Sequence, residues 1–202
     1  MARPLPAPLR EVVDRLATLP GLGPKSALRI GLTLLRWPEE RTRDLGERIV
    51  LLRENLHICR RCGALAETPV CALCQDPARS DDELCVVAEW DSILIMEEMG
   101  VYRGRYVVLG GLLAPLDGMD TDRLDFARLE AVLQEGRVRE VILALGSTME
   151  AEATASLVTA RIKARFPAVR VTRLAQGIPL GAELKYVDPE TLKQSLKYRQ
   201  DL

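Results

Sequence analysis

The chain has 202 residues, 48% of them hydrophobic, which is enough for one large or two small domains with buried cores and too apolar for a disordered polymer. A net charge of −1 excludes a protein that coats nucleic acid by bulk electrostatics. No apolar run approaches the roughly 20 residues that cross a bilayer, and "MARPLPAPLR" lacks the apolar stretch of a secretory signal, so a soluble, cytoplasmic protein is expected.

The charge is uneven: residues 1–61 hold 12 Lys+Arg against 7 Asp+Glu, net +5, which leaves −6 for the rest. In chain order, Leu9, Val12, Val13 and Leu16 recur at i, i+3, i+4 and i+7, which predicts a helix from Pro8 to Thr18. "LPGLGP" breaks it. A second helix is expected from Lys25 to Leu35, with Leu28, Leu32 and Leu35 on its buried side, and a third from about Arg41 to Leu56. Residues 59–82 have no apolar period and many turn residues, so that segment is a linker or is held by something other than a core. Beyond it the texture changes. "LCVVAEW", "RYVVLG", "EVILALG" and "VRVTRLA" read as strands, with helices near Leu124 to Leu133 and from about Glu150 to Arg165. The alternation predicts parallel βαβ units, one sheet with helices on both faces. "DPETLKQSLKYR" closes the chain as a helix with Asp188 as N-cap, Pro189 at the first position and a basic end.

Cys59, Cys62, Cys71 and Cys74 form C-x2-C-x8-C-x2-C, the spacing at which thiolates turn onto one tetrahedral zinc ion. Four thiolates leave no open coordination position, so the metal is structural. The alternatives are redox or disulfide-bonded CxxC pairs, which are uncommon in the cytosol, and His57, the only histidine, as a substitute ligand. Cys85 lies apart in an apolar run and reads as a core residue.

Pro20, Gly21, Gly23 and Pro24 form a turn between two helices. The unsatisfied N–H groups at the start of the second helix carry partial positive charge and suit a phosphate. Glycines at Gly21 and Gly23 let a phosphate approach the main chain, while Lys25 and Arg29, four apart, extend the contact along one helix face. The bland alternative is a hairpin whose glycines only turn the chain. "GPKS" is a poor P-loop, because no glycine stands at the required distance before it and its flanks are helices. Hydrophobic-Pro-Gly-hydrophobic-Gly-x-Lys-x-Ala between two helices resembles the helix-hairpin-helix module, which grips the DNA backbone without reading sequence.

Taken in order, "LPGLGPKSALRIGLTLL", "CRRC…CALC", "ELCVVAEWDSILIMEEMGVYRGRYVVLGG", "EVILALGSTMEAEATA" and "TRLAQGIPLGAELKYVDPETL" resemble the RecR family of bacterial recombination mediators, from about Leu9 to Arg199. The resemblance implies a multidomain α and β chain. Its parts are a helix-hairpin-helix DNA-binding domain (1–56), a four-cysteine zinc motif (57–80), a TOPRIM-type α/β domain with a mainly parallel sheet (81–175) and a C-terminal helical oligomerisation segment (176–202). It also implies dimers and ring-shaped tetramers that encircle DNA and work with RecO and RecF to load RecA at single-stranded gaps in DNA repair. In the family the residues corresponding to Lys25 and Arg29 contact DNA.

In topoisomerases and primases with a TOPRIM domain, a glutamate ending the first strand and an Asp-x-Asp after a later strand hold Mg²⁺ for phosphoryl chemistry. Here Ala88 aligns with the glutamate, and Gly146 and Thr148 with the aspartates. An adaptor without catalytic activity is therefore expected, the alternative being a magnesium-dependent nuclease or primase-like enzyme. The neighbouring acids Glu89, Asp91, Glu150 and Glu152 are candidate contacts to RecO, against the plainer reading of acids that favour helix starts. Arg103 and Arg105 between Tyr102 and Tyr106 either stack on bases or mark a strand entrance with tyrosines packed on the core.

Overall fold

A computed structural model describes residues 5–199. The chain divides into two compact units, the break falling between Asn55 and Leu56. The first holds three helices: α1 (Ala7–Ala17), α2 (Pro24–Arg36) and α3 (Glu39–Leu51). Prolines punctuate all three, standing at the start of α1 and α2 and as the residue before α3, where a fixed φ suits the first turn and no N–H is lost from the ladder.

The buried side of α2 is not its leucine row. Ala27 and Gly31 are the buried residues, whereas Leu32 and Leu35 are exposed. Gly31 explains the difference. A Cβ there would stand 3.1 Å from Leu9 Cδ1 and 3.5 Å from Val13 Cγ2, so α1 comes so near that small residues fill the contact and the bulky row is turned outward. On α1, Val13 is buried and Val12 exposed. Helix α3 has no buried residue, and Ile49, Val50 and Leu52 are each more than half exposed.

The second unit begins with the cysteine segment. Strands β1 (His57–Ile58) and β2 (Leu65–Ala66) pair antiparallel, and α4 (Ala72–Gln75) follows with Cys71 as its N-cap. Then come β3 (Glu83–Val87), α5 (Asp91–Glu98), β4 (Arg105–Val108), two 3-10 turns (Pro115–Asp117 and Thr121–Arg123), α6 (Phe126–Gln134), β5 (Glu140–Ala144), α7 (Met149–Arg165) and β6 (Arg170–Arg173). A third 3-10 turn (Leu184–Tyr186) precedes α8 (Pro189–Lys197).

The larger sheet is parallel throughout, in the order β4-β3-β5-β6. Strand β3 is central and buried almost end to end, as expected of a parallel strand covered on both faces. Its side chains alternate between two cores. Leu84 and Val86 join Val107, Val141, Leu143 and residues of α6 and α7. Cys85 and Val87 join Tyr106, Val108, Ile93 of α5 and all four cysteines of the preceding segment. The cysteine segment thus covers the second face of the sheet beside α5.

Polar bonds fasten that layer. The Val108 N–H donates to the Cys62 carbonyl at 2.7 Å and the Ser80 N–H to the Arg103 carbonyl at 2.8 Å. Arg79 is buried; it donates to the Gly104 carbonyl at 3.1 Å, pairs with Glu97 of α5 and lies over the Tyr106 ring. Glu97 also accepts from the Tyr106 hydroxyl at 2.6 Å. No helix among the described residues is long and apolar enough to cross a membrane.

Candidate nucleic-acid interface and metal centre

The four cysteines arrive from two places. Cys59 and Cys62 sit on the turn after β1, where the Cys59 N–H donates to Ala64 at 2.8 Å and Gly63 to Cys59 at 2.9 Å, a closed knuckle. Cys71 and Cys74 straddle the start of α4. All four are buried, and their sulfurs lie within 4.8 Å of one another. Two separations test the fit. A tetrahedron with Zn–S of about 2.3 Å has edges of about 3.8 Å, and Cys59 and Cys74 stand 3.9 Å apart, Cys62 and Cys71 3.5 Å. Both distances far exceed the roughly 2.05 Å of a disulfide, and all five cysteines are free. Main-chain N–H groups already point at the sulfurs: Ala64 to Cys62 at 3.5 Å and Cys71 to Cys59 at 3.3 Å.

Hydrogen bonds from Cys62 and then Cys74 hold the Cys71 thiol far below its ordinary value, while Cys74, bonded to Cys62 and Cys71, is pushed up. Four adjacent thiols therefore cannot all ionise unless a cation takes the charge. The donor set, its burial and its size fit zinc. His57 is exposed and outside the cluster. Cys85 is isolated, its thiol pushed up to about 12 by burial, which leaves it an inert core residue.

The glycine turn stands as the spacing suggests, between α1 and α2. Gly21 has φ +78°, a left-handed conformation that glycine adopts without strain. Gly23 differs: it is the N-cap of α2 with φ −82° and ψ 168°, open to any residue. Around both glycines a Cβ would meet nothing within 4 Å. At Gly23, then, neither backbone strain nor a steric clash requires glycine. No side chain caps α2; Pro24 has no N–H, and the helical bonding begins with the Ala27 N–H to Gly23 at 3.0 Å, so the N–H groups of Lys25 and Ser26 point outward. Lys25 and Arg29 are exposed. Among the described residues the ion pairs of this unit join Arg15 to Glu11, Arg43 to Glu39 and Arg48 to Asp44, leaving both heads free.

The third locus is the carboxyl edge of the sheet. Val87 pairs with Ala144 at the ends of β3 and β5, so Glu89 and Asp91 leave from the same edge as Glu150 and Glu152. They do not converge as a metal site: among the described residues the cysteines are the one group of three or more potential ligands close enough to share an ion. Ala88 is half-buried against the core. Thr148 uses its hydroxyl as the N-cap of α7, accepting from the Ala151 N–H at 3.2 Å. Glu152 pairs with Arg173 at 2.6 Å and accepts from Gln176 at 3.2 Å, whereas Glu89, Asp91 and Glu150 are exposed.

The Tyr-Arg-Gly-Arg-Tyr stretch is structural. Arg105 donates to Asp81 and to the Leu73 carbonyl, both at 2.8 Å. Tyr106 is buried and meets Tyr102 edge-on at 5.1 Å. Only Arg103 faces solvent, so no stacking platform forms there.

Family models match the chain in four consecutive stretches: the RecR helix-hairpin-helix over residues 9–51, the RecR four-cysteine zinc-finger domain over 56–76, the Toprim domain over 82–175 and the RecR C-terminal region over 177–200. Among curated relatives, the recombination protein RecR of Nitratidesulfovibrio vulgaris is 58% identical over 198 residues, 98% of each chain. That of Maridesulfovibrio salexigens is 55% identical over the same share, and that of Treponema pallidum 44% identical over 96% of each chain. The four matched stretches and the relatives together span nearly the whole chain, and it belongs to the RecR family of recombination proteins.

Proposed function

We propose that the chain is a non-catalytic recombination mediator that grips the DNA backbone through its helical hairpin and presents its sheet edge to partner proteins. The observation that carries this reading is the bare start of α2. Two outward N–H groups, an N-cap glycine with open space over it and two unpaired cations form a seat for phosphate. Gly21, Gly23, Lys25 and Arg29 are the DNA-contacting residues. Contacts of this type orient a duplex and carry little sequence preference.

One hairpin reaches only a few phosphates, so its affinity is weak and salt-sensitive, and several hairpins on one duplex raise each other's effective concentration. Assembly into a dimer or a tetrameric ring supplies them. The exposed apolar residues Leu35, Ile49, Val50 and Leu52 of the first unit, and Leu180, Leu184 and Leu196 of the last segment, are surfaces that monomeric proteins rarely leave to water. Cys59, Cys62, Cys71 and Cys74 hold structural zinc. Glu89, Asp91 and Glu150, with Glu152 in support, form an acidic edge that contacts RecO, and with RecF the assembly promotes RecA loading at gaps in cytoplasmic DNA repair.

The test is the salt dependence of binding to a labelled gapped duplex. The reading predicts affinity that falls linearly in log–log form, with a slope of about −0.9 per phosphate neutralised, and no cleavage in Mg²⁺ or Mn²⁺. Salt-independent binding, or turnover proportional to protein, would contradict it. Alanine substitution of the four acids that leaves RecO binding unchanged removes the edge from the account.

A further inference from the structure

The cysteine layer and α5 do not close on each other completely. Between them runs a groove of about 490 Å³, lined by Leu65, Ala66 and Leu73 on one side and Trp90, Ile93 and Leu94 on the other. The apolar surface continues outward along α5: Leu94 is 56% exposed, Ile95 64% and Met99 54%. "DSILIMEE" explains this. Ile93 is buried and Met96 half-buried against the sheet, while their neighbours Leu94 and Ile95 point away from it. A helix apolar on both sides is one with something on both sides, and the chain's second unit covers only one.

Charge indicates what the other side takes. Glu67 lines the groove, and Asp91 and Glu98, three or four residues from Leu94 and Ile95, share their face of α5. All three are exposed, as is Glu89. No lysine or arginine lines the groove, and Arg79, the cation that touches α5, is already paired with Glu97. An apolar strip with an acidic rim is complementary to an apolar strip with a basic rim. The exposed face of α5 is about 12 Å long at 1.5 Å per residue, room for two turns of a partner helix. The chain's own exposed helix α3 is a poor match, because Arg43 and Arg48 are paired within it to Glu39 and Asp44 and Arg41 stacks on Trp37.

We propose that the groove between the zinc layer and α5 docks an amphipathic helix of another protein, carrying two apolar anchors one turn apart and flanked by lysine or arginine. This site is separate from the hairpin that binds DNA and, sharing Asp91 with the acidic edge, rests on the reading of that edge as a partner contact. The anchors enter beside Trp90 and Leu94, and the basic flanks meet Glu67, Asp91 and Glu98.

The test uses the full-length zinc-loaded protein and a fluorescein-labelled helical peptide of about 14 residues, roughly four turns, with leucines one turn apart and arginine flanks. Two controls replace the arginines by glutamate or the leucines by serine. Anisotropy should show the arginine–leucine peptide binding at least about tenfold more tightly than either control, with a change in Trp90 emission in a Trp37→Phe background. The Leu94→Ser/Ile95→Ser variant, altered only at exposed positions, should lose about tenfold in peptide affinity while keeping its zinc content and its affinity for gapped DNA. Equal binding of the three peptides, or an unchanged affinity in the variant, overturns the proposal. So does a variant that sediments as a smaller species without losing peptide, which would make the strip a contact between copies of this chain. DNA affinity measured on the same samples separates failure of this site from failure of the hairpin reading.

Discussion

Removing the zinc should unfold more than the knuckle that holds it. The cysteine layer covers Cys85, Val87, Tyr106 and Val108, all at most 6% exposed, and without the metal its only regular structure is a two-residue strand pair and one turn of helix, too little to keep the bonds from Val108, Arg79 and Arg105 in register. Uncovering three large apolar side chains at about 1.5 to 3 kcal/mol each costs roughly 5 to 9 kcal/mol, with the Arg79–Glu97 pair lost in addition. That approaches the whole stability of a typical domain, about 5 to 15 kcal/mol, whereas structural zinc contributes about 10 to 16 kcal/mol to small fingers. The perturbation is Cys62→Ala or a strong chelator; the assay combines zinc release with thermal unfolding followed by Trp90 fluorescence in a Trp37→Phe background and by circular dichroism. The melting temperature of the α/β unit should fall by more than about 15 °C, or its transition vanish, given several degrees per kcal/mol. A metal-free protein with the same melting temperature would refute the coupling of layer and sheet.

Two further outcomes follow from packing and charge. Gly31→Leu forces a side chain where Leu9 and Val13 lie within 3.1 and 3.5 Å of the missing Cβ, and should destabilise the first unit by about 1 to 3 kcal/mol in denaturant titration; an unchanged midpoint would mean α1 is free to move aside. Asp81 is held below the ordinary carboxylate range, chiefly by the hydrogen bond from Arg105, against a burial penalty and with help from Arg137. A lowered folded-state value adds stability that is present above the unfolded value of about 3.9 and lost as pH falls through the folded value. Asp81→Asn should therefore cost about 1 kcal/mol near neutrality, a figure reduced for an aspartate still 29% exposed, and the difference should disappear in acid; a gap independent of pH would refute the ion-pair account.

Much of the architecture was legible along the chain because its signals are local. Two CxxC pairs, the cap at Asp188 and the β-branched runs each act within a few residues, whereas Thr148, aligned with a metal-binding aspartate, proves to be the N-cap of α7. Other features depend on what arrives from elsewhere. In α2, bulk and spacing favour Leu28, Leu32 and Leu35 as the buried row, yet the close approach of α1 selects Ala27 and Gly31. The run "SILIM" has no 3.6-residue period, since α5 is apolar on both its sheet side and its outer side, and it carries no helix signal. That the cysteine segment is a layer of the α/β unit rests on contacts such as Val108 to Cys62, far apart in sequence, which no spacing rule anticipates. Arg105 in "YRGRY" is likewise indistinguishable by pattern from a nucleic-acid contact until Asp81 is brought against it.

The proposed DNA seat is the bare start of α2. Its most direct test is fluorescence anisotropy of a labelled gapped duplex, titrated with the wild-type protein and with Lys25→Ala/Arg29→Ala across a range of salt. The double variant, with unchanged zinc content and melting temperature, should lose most of its affinity, and its log–log salt slope should shrink by about 2 for each hairpin engaged. Equal affinity and equal slope in the two proteins would contradict it and move the DNA contact off the hairpin.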